Sequence, residues 1–90
     1  MTTIKTIEEL NELVEKNGKV YVCLASEEIA KKFLMLAEQE GFTFGDGAKP
    51  TQKHTSDILA VNQDRTISYV GTVGRMAIGS GKAVKVQWNG

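Results

Sequence analysis

The first hydrophobic positions of the chain repeat with the period of an α-helix. Between residues 6 and 17, four apolar side chains fall on one helical face: Ile7, Leu10, Leu13 and Val14. Thr6 and Glu9 have the spacing of a capping box, in which two side chains satisfy unpaired amides at a helix start. Asn17 and Gly18 supply a left-handed stop. The pattern predicts a helix over residues 6–17.

A period of two replaces the helical period after Gly18. Along residues 19–25, one face carries Val20, Val22 and Leu24, and the other carries Tyr21, Cys23 and Ala25. Both faces are mostly apolar, which is typical of a strand in the middle of its sheet. We therefore expect residues 19–25 to form a central strand.

The helical period returns at Ser26, a residue type that caps helices well. Glu27 and Glu28 follow in the first turn, where the helix dipole favours anions. Met35 falls towards the outer side of this second helix, whose apolar side consists of Ile29, Ala30, Phe33, Leu34, Leu36 and Ala37. Gly41 ends the helix, and residues 42–44 predict a short strand. Strand, helix and strand would form a crossover unit, right-handed if the two strands are parallel.

The second half of the chain is rich in glycine. A polar loop over residues 45–56 precedes a predicted hairpin, whose strands span residues 57–62 and 66–70. A loop of twelve residues is long for a compact domain, and such loops are often functional. Four glycines interrupt residues 71–81, where a short helical turn from Thr72 is one interpretation. Residues 82–88 alternate again and predict a last strand that ends at Trp88.

Together the elements predict an α+β fold. We expect a single domain over residues 1–90, with two helices packed on a mixed sheet of four to five strands, in the order α-β-α-β-β-β-β. Trp88 lies on a strand that the sequence places at a sheet edge. An edge strand with tryptophan and valines is a candidate for pairing with another chain. The sequence therefore predicts a homo-oligomer.

Charge narrows the range of partners. The chain has 11 basic and 11 acidic residues, and its net charge is zero. DNA- and RNA-binding proteins usually carry a basic excess, and a DNA mimic carries an acidic one, so we expect neither. The charges are unevenly placed, because residues 1–40 hold five basic and eight acidic side chains and residues 41–90 hold six and three. A small anionic ligand or a protein partner fits this distribution better.

Composition also bears on location. No segment approaches the ~20 apolar residues of a membrane helix, and the N-terminus lacks a secretory apolar core. The single cysteine, Cys23, allows no internal disulfide and lies in an apolar run. We expect a cytoplasmic protein, with no membrane partner and with Cys23 as a buried, inert thiol.

Few residues are suited to catalysis. His54 is the single histidine, and adjacent residues such as Thr55 and Ser56 rarely reach the geometry of a catalytic triad. Cys23 and His54 would form a dyad only if the fold brought them together. One cysteine, one histidine and scattered carboxylates give no metal-ligand spacing. We therefore expect no enzyme, metal or cofactor, although a small nucleotide-processing enzyme that uses His54 and Asp57 stays open.

The two glycine-rich segments are the candidate ligand site. Glycine lets backbone amides approach a ligand, and amides at a helix start suit an anion. Basic side chains would add charge, and aromatic side chains would stack on a base. The predicted ligand-binding residues are Phe44, Asp46, Lys49, Thr51, His54, Tyr69, Thr72, Arg75 and Trp88. The alternative is that the glycines form only turns and that the charges serve solubility.

Two motifs resemble a group of small uncharacterised phage and prophage proteins. The first is Glu-Gly-Phe-Thr-Phe-Gly-Asp-Gly at residues 40–47, with Lys-Pro-Thr at residues 49–51. The second is Thr-Ile-Ser-Tyr-Val-Gly at residues 66–71, with Gly-Arg-Met-Ala at residues 74–77. The resemblance extends over residues 7–78. It implies a phage protein, and small phage proteins of this size often counter host defence.

The resemblance and the candidate site lead to two hypotheses. In the first, the protein sequesters a nucleotide immune signal, such as a cyclic nucleotide, without cleaving it. In the second, it binds and occludes a host defence enzyme such as a CRISPR nuclease, as anti-CRISPR proteins do. The scarcity of catalytic groups favours binding over catalysis in both.

Overall fold

The computed structural model describes residues 2–53, 57–70 and 84–89. The strands are β1 (Thr2–Ile4), β2 (Lys19–Cys23), β3 (Thr43–Phe44), β4 (Ile58–Asn62), β5 (Thr66–Tyr69) and β6 (Lys85–Trp88). The helices are α1 (Ile7–Asn17) and α2 (Glu27–Gln39), and a 3₁₀ turn covers Pro50–Gln52. The interpretation of a helical turn from Thr72 falls outside the described residues.

All six strands belong to one mixed sheet in the order β1-β6-β2-β4-β5-β3. Strand β4 runs antiparallel to its neighbours β2 and β5, and the other neighbouring pairs are parallel. The predicted α+β class is confirmed, with one strand more than the upper expectation. The additional strand is β1, whose two threonines and single isoleucine give no alternating pattern to detect.

The residues predicted to start both helices and to end α1 do so, and of the capping box predicted at Thr6 and Glu9 the structure shows the half made by Thr6. The Thr6 hydroxyl accepts a hydrogen bond from the Glu9 amide at 3.2 Å, and Ser26 accepts one from Ile29 at the same distance. Gly18 has a φ of 86°, in the left-handed region that favours glycine, and ends α1. These caps satisfy amide groups that the first turn of a helix leaves without partners.

Both helices cover the same face of the sheet and form one hydrophobic core with it. Each strand contributes every second residue, and the register aligns them across the sheet: Ile4, Val86, Trp88, Val20, Val22, Leu59, Val61, Ile67 and Phe44. Strand β2 lies between β6 and β4, so the prediction of a central strand is confirmed. The expected crossover from β2 through α2 to β3 joins parallel strands, but β4 and β5 lie between them.

The prediction that Trp88 lies on an edge strand is wrong. Strand β6 pairs with β1 on one side and β2 on the other, so its backbone is not open to another chain. The Trp88 side chain is 0% exposed, and its ring meets Phe33 of α2 edge-on, with 5.0 Å between centroids. Trp88 is therefore a core residue, and it cannot stack on a ligand.

Arg65 joins the hairpin turn to the end of α2. Its φ of 63° is left-handed, as the reversal between β4 and β5 requires. Its Nη1 atom donates to the Glu40 carbonyl at 2.8 Å, and its guanidinium lies 5.8 Å from the centre of the Phe42 ring. The hairpin is thus attached to the C-terminal end of α2 at a point 25 residues away in the chain.

We expect Trp88→Ala to lower the free energy of unfolding by about 3–5 kcal/mol, because it leaves a cavity beneath α2. Trp88→Phe is the matched control. It keeps a ring against Phe33 and removes the indole N–H, which is buried without a hydrogen-bond partner among the described residues. The loss should therefore be clearly smaller. Urea denaturation followed by circular dichroism measures both, and equal losses would contradict the prediction.

Candidate ligand-binding groove

The end of α2 sets the position of the candidate loop. Gly41 has a φ of 86°, and its amide donates to the Glu38 carbonyl at 3.1 Å. The Phe42 amide reaches back to the Ala37 carbonyl at 2.9 Å, which completes a Schellman motif. The chain then enters β3 beside β5. This turn brings residues 43–53 back along the last turns of α2.

A tight turn follows β3 and is built from the predicted glycine motif. The Gly47 amide donates to the Phe44 carbonyl at 2.8 Å, and Gly47 has a φ of 88°. The Asp46 carboxylate accepts a hydrogen bond from the Ala48 amide at 3.0 Å. Gly47 is thus a turn glycine, while Asp46 fixes the backbone with one carboxylate oxygen and leaves the other available.

The 3₁₀ turn is anchored to α2 through Glu38. The Thr51 hydroxyl donates to Glu38 Oε1 at 2.6 Å, and the Thr51 amide donates to the same oxygen at 3.3 Å. These hydrogen bonds hold the pKa of the Glu38 carboxyl below its usual value. Sequence reasoning found Thr51 but missed Glu38. No local motif links two residues 13 positions apart.

Lys53 lies near three predicted residues: Phe44, Asp46 and Tyr69. Its Nζ atom is 2.7 Å from Asp46 Oδ2 and 5.9 Å from the centre of the Phe44 ring. The hydrogen bond with Asp46 raises the pKa of Lys53 and lowers the pKa of Asp46. Phe44 is buried, and it stacks on the ring of Tyr69, which is 45% exposed, with 5.2 Å between centroids. Tyr69 therefore presents an aromatic surface next to a cation.

A groove of about 450 Å³ runs between α2 and the loop. Its residues are Lys31, Leu34 and Met35 from α2, and Thr51 and Lys53 from the loop. The surface inside is mostly apolar, and each wall contributes one lysine. Lys31 is also paired with Glu27 at 3.6 Å, on an exposed part of the helix. The groove therefore combines an apolar floor with two cations that already have carboxylate partners.

The structure gathers part of the predicted site and not the rest. Phe44, Asp46 and Tyr69 surround Lys53, and Thr51 lines the groove. Lys49 is exposed on the same segment but does not line the groove. Trp88 lies in the core, as described above. The predicted residues His54, Thr72 and Arg75 fall outside the described residues.

The remaining reactive group lies elsewhere. Cys23 is half-buried in β2, and burial raises the pKa of its thiol, which keeps it protonated and weakly nucleophilic at neutral pH. Within residues 2–53, 57–70 and 84–89, no three histidine, cysteine or carboxylate side chains are placed to hold a metal ion. The described residues of the groove thus provide hydrogen-bonding groups, charged groups and apolar surface.

Comparison with known proteins adds no identification. No family model matches the sequence, and no curated protein or solved structure is significantly similar to it. In the part of the chain that the structure describes, no helix has both the length and the hydrophobicity to cross a membrane.

We expect acid to detach the loop from α2. The pKa values of Glu38 and Asp46 are lowered in the folded protein, so these contacts stabilise it at neutral pH and are lost as the pH falls through the lowered pKa values. The Thr51 amide resonance should shift as Glu38 titrates below the usual glutamate value of about 4.3. NMR spectroscopy measures this shift.

Glu38→Gln is the control for this titration. A glutamine oxygen still accepts the hydrogen bonds from Thr51 but does not titrate, so the shift of the Thr51 amide should disappear. A shift that persists in the variant would show that Glu38 does not hold the loop.

Proposed function

We propose that the protein binds a small anionic nucleotide in the groove between α2 and the loop, without cleaving it. The observation that supports this proposal is the groove itself, with a volume of about 450 Å³, an apolar floor and a lysine in each wall. Ligand sites for small molecules commonly have volumes of about 300–1,000 Å³ and combine apolar surface with a few placed charges.

The two parts of a nucleotide match the two kinds of surface. The flat base would lie on Met35, which is 55% exposed and whose thioether is polarizable and adapts to aromatic surfaces. The phosphate would interact with the ammonium groups of Lys31 and Lys53. Tyr69, which is 45% exposed and stacks on Phe44, offers a second aromatic surface, which suits a ligand with two bases.

Both lysines of the groove are paired with carboxylates, and these carboxylates affect which ligands can bind. Lys53 is held by Asp46 at 2.7 Å, and Lys31 is held by Glu27 at 3.6 Å. An incoming phosphate therefore shares each cation with a neighbouring carboxylate, which competes with it for the ammonium group. A ligand with more than one negative charge is therefore favoured over one with a single charge.

The side chains of the groove favour binding over hydrolysis. Thr51 is the groove hydroxyl that contacts a possible base, since it donates to Glu38 at 2.6 Å. The lowered pKa of Glu38 makes this carboxylate a weak base at neutral pH, so it does not activate the hydroxyl. The pKa of Lys53 is raised, which keeps its amine protonated and not nucleophilic.

The resemblance to phage proteins supplies the setting of the proposal. A phage protein that binds a nucleotide signal without cleaving it would lower the free concentration of that signal in the infected cell. We therefore propose sequestration of an immune nucleotide in the host cytoplasm as the biological role. Binding of the nucleotide can be tested with the purified protein, without an infected cell.

We expect Lys53→Met to weaken nucleotide binding by about tenfold, because a charge-assisted hydrogen bond to phosphate is lost. Lys49→Met is the matched control, since it removes the same charge from the same segment at a position outside the groove. Isothermal titration calorimetry with cyclic dinucleotides and cyclic ADP-ribose isomers measures both, and chromatography of the recovered ligand should show it unchanged. Lack of binding across this panel would refute the proposal.

We expect Asp46→Asn to strengthen binding of the same ligand, by about three- to tenfold. The amide oxygen of asparagine still accepts the Ala48 hydrogen bond, but the charge that competes with phosphate for Lys53 is removed. The gain should vanish when Lys53→Met is added. Weaker binding by Asp46→Asn alone would show that the carboxylate does not compete with the ligand.

A further inference from the structure

Helix α2 has a second exposed surface, on the side away from the loop. Leu36 is 36% exposed and Met35 is 55% exposed, although both are large apolar side chains. A shallow groove of about 260 Å³ crosses this surface and is lined by Lys32, Met35, Leu36 and Gln39. Met35 lines both grooves, so the two surfaces adjoin there, with Lys31 and Leu34 on one side of it and Lys32 and Leu36 on the other.

Three exposed residues form a line along this surface. Lys32, Leu36 and Glu40 are spaced four residues apart, and such positions differ by only about 40° around a helix. Glu40 is the C-cap of α2, with φ −87° and ψ 5°, so the line continues to the end of the helix. Neither Lys32 nor Glu40 forms an ion pair within the described part of the chain.

We propose that this line is the interface of a homodimer, in which α2 packs antiparallel against α2 of a second copy. The two-fold axis passes at Leu36. It places Leu36 against Leu36 of the second copy and Lys32 against Glu40 of the second copy, and the same ion pair recurs on the other side of the axis. A two-fold interface requires a surface that is complementary to itself.

The charge pattern selects a second copy rather than another kind of partner. The line carries one cation and one anion at equal distances from an apolar residue, so its own reversed image is its electrostatic complement. A partner segment of a single charge sign would be attracted at one end of the line and repelled at the other. This surface replaces the edge of β6, which is paired on both sides, as the basis for expecting an oligomer.

The size of the surface predicts a weak dimer. Helix α2 has 13 residues and is therefore about 20 Å long. One helix face of this length buries less than the about 800 Å² per partner of a standard stable interface. We expect a dissociation constant of about 10–1,000 μM, so that the dimer forms at high local concentration.

Sedimentation equilibrium between about 10 μM and 1 mM tests the interface through charge reversal. Lys32→Glu brings glutamates together and Glu40→Lys brings lysines together, and each should weaken the dimer by about tenfold. An equimolar mixture of the two variants should form a heterodimer, because each reversed side chain then meets its opposite charge. The double variant Lys32→Glu/Glu40→Lys should dimerise like the original protein.

Lys16→Glu, an exposed reversal on α1, is the control and should leave the dimer unchanged, with circular dichroism confirming that each variant is folded. Three results would overturn the proposal: an unaltered protein that stays monomeric to 1 mM, single variants that dimerise normally, or a mixture that associates no better than its components. Capture of a host protein by this face of a monomeric chain would likewise overturn it.

Discussion

The packing of α2 on the sheet is the constraint on which the other features depend. The helix is held by the contact between Phe33 and Trp88, two rings that meet edge-on with 5.0 Å between centroids. Trp88 comes from the last strand, which lies between β1 and β2. A strand at the end of the described chain thus supports the helix that forms one wall of the groove and carries the proposed dimer surface.

The two walls of the groove are held in different ways. Helix α2 is held by the hydrophobic core, and hydrogen bonds to carboxylates help to hold the loop. Helix α2 is fixed by Ala30, Phe33, Leu34 and Ala37, all of which are buried. The loop has less buried surface, and its polar anchors are the contacts of Thr51 with Glu38 and of Lys53 with Asp46. Polar contacts exchange with water and ions more easily than a packed core does. The polar anchors of the loop wall are therefore exchanged more easily than the core contacts of the helix wall.

The sequence predicted what depends on neighbours along the chain. Thr6, Gly18 and Ser26 act within three or four residues, so their spacing alone located the start of both helices and the end of α1. Alternation likewise located β2 and β6. The sequence pattern does not contain the order of the strands in the sheet, because each strand pairs with a segment that is distant in the chain. Trp88 was placed on the correct face of its strand but at the wrong position in the sheet.

The candidate site follows the same division. The glycine turn and Thr51 were recognisable in the sequence because the loop is polar, rich in glycine and long for a compact domain. Glu38 and Met35 belong to α2, and their meeting with the loop depends on the Schellman turn at Gly41. The helical period predicts that an outward position is exposed to solvent, because it does not show that the chain after the helix returns beside it. Only the three-dimensional path of the chain shows that such a position lines a groove.

Arg65 gives α2 an anchor that is independent of the loop. Its side chain holds the Glu40 carbonyl from the hairpin turn, at 2.8 Å, and this turn belongs to the sheet. The C-terminal end of the helix is therefore tied to the sheet as well as to the loop. Pro50 is the fully buried residue of the loop, so exchanges at its exposed positions can reshape one side of the groove while Arg65 still holds the end of α2.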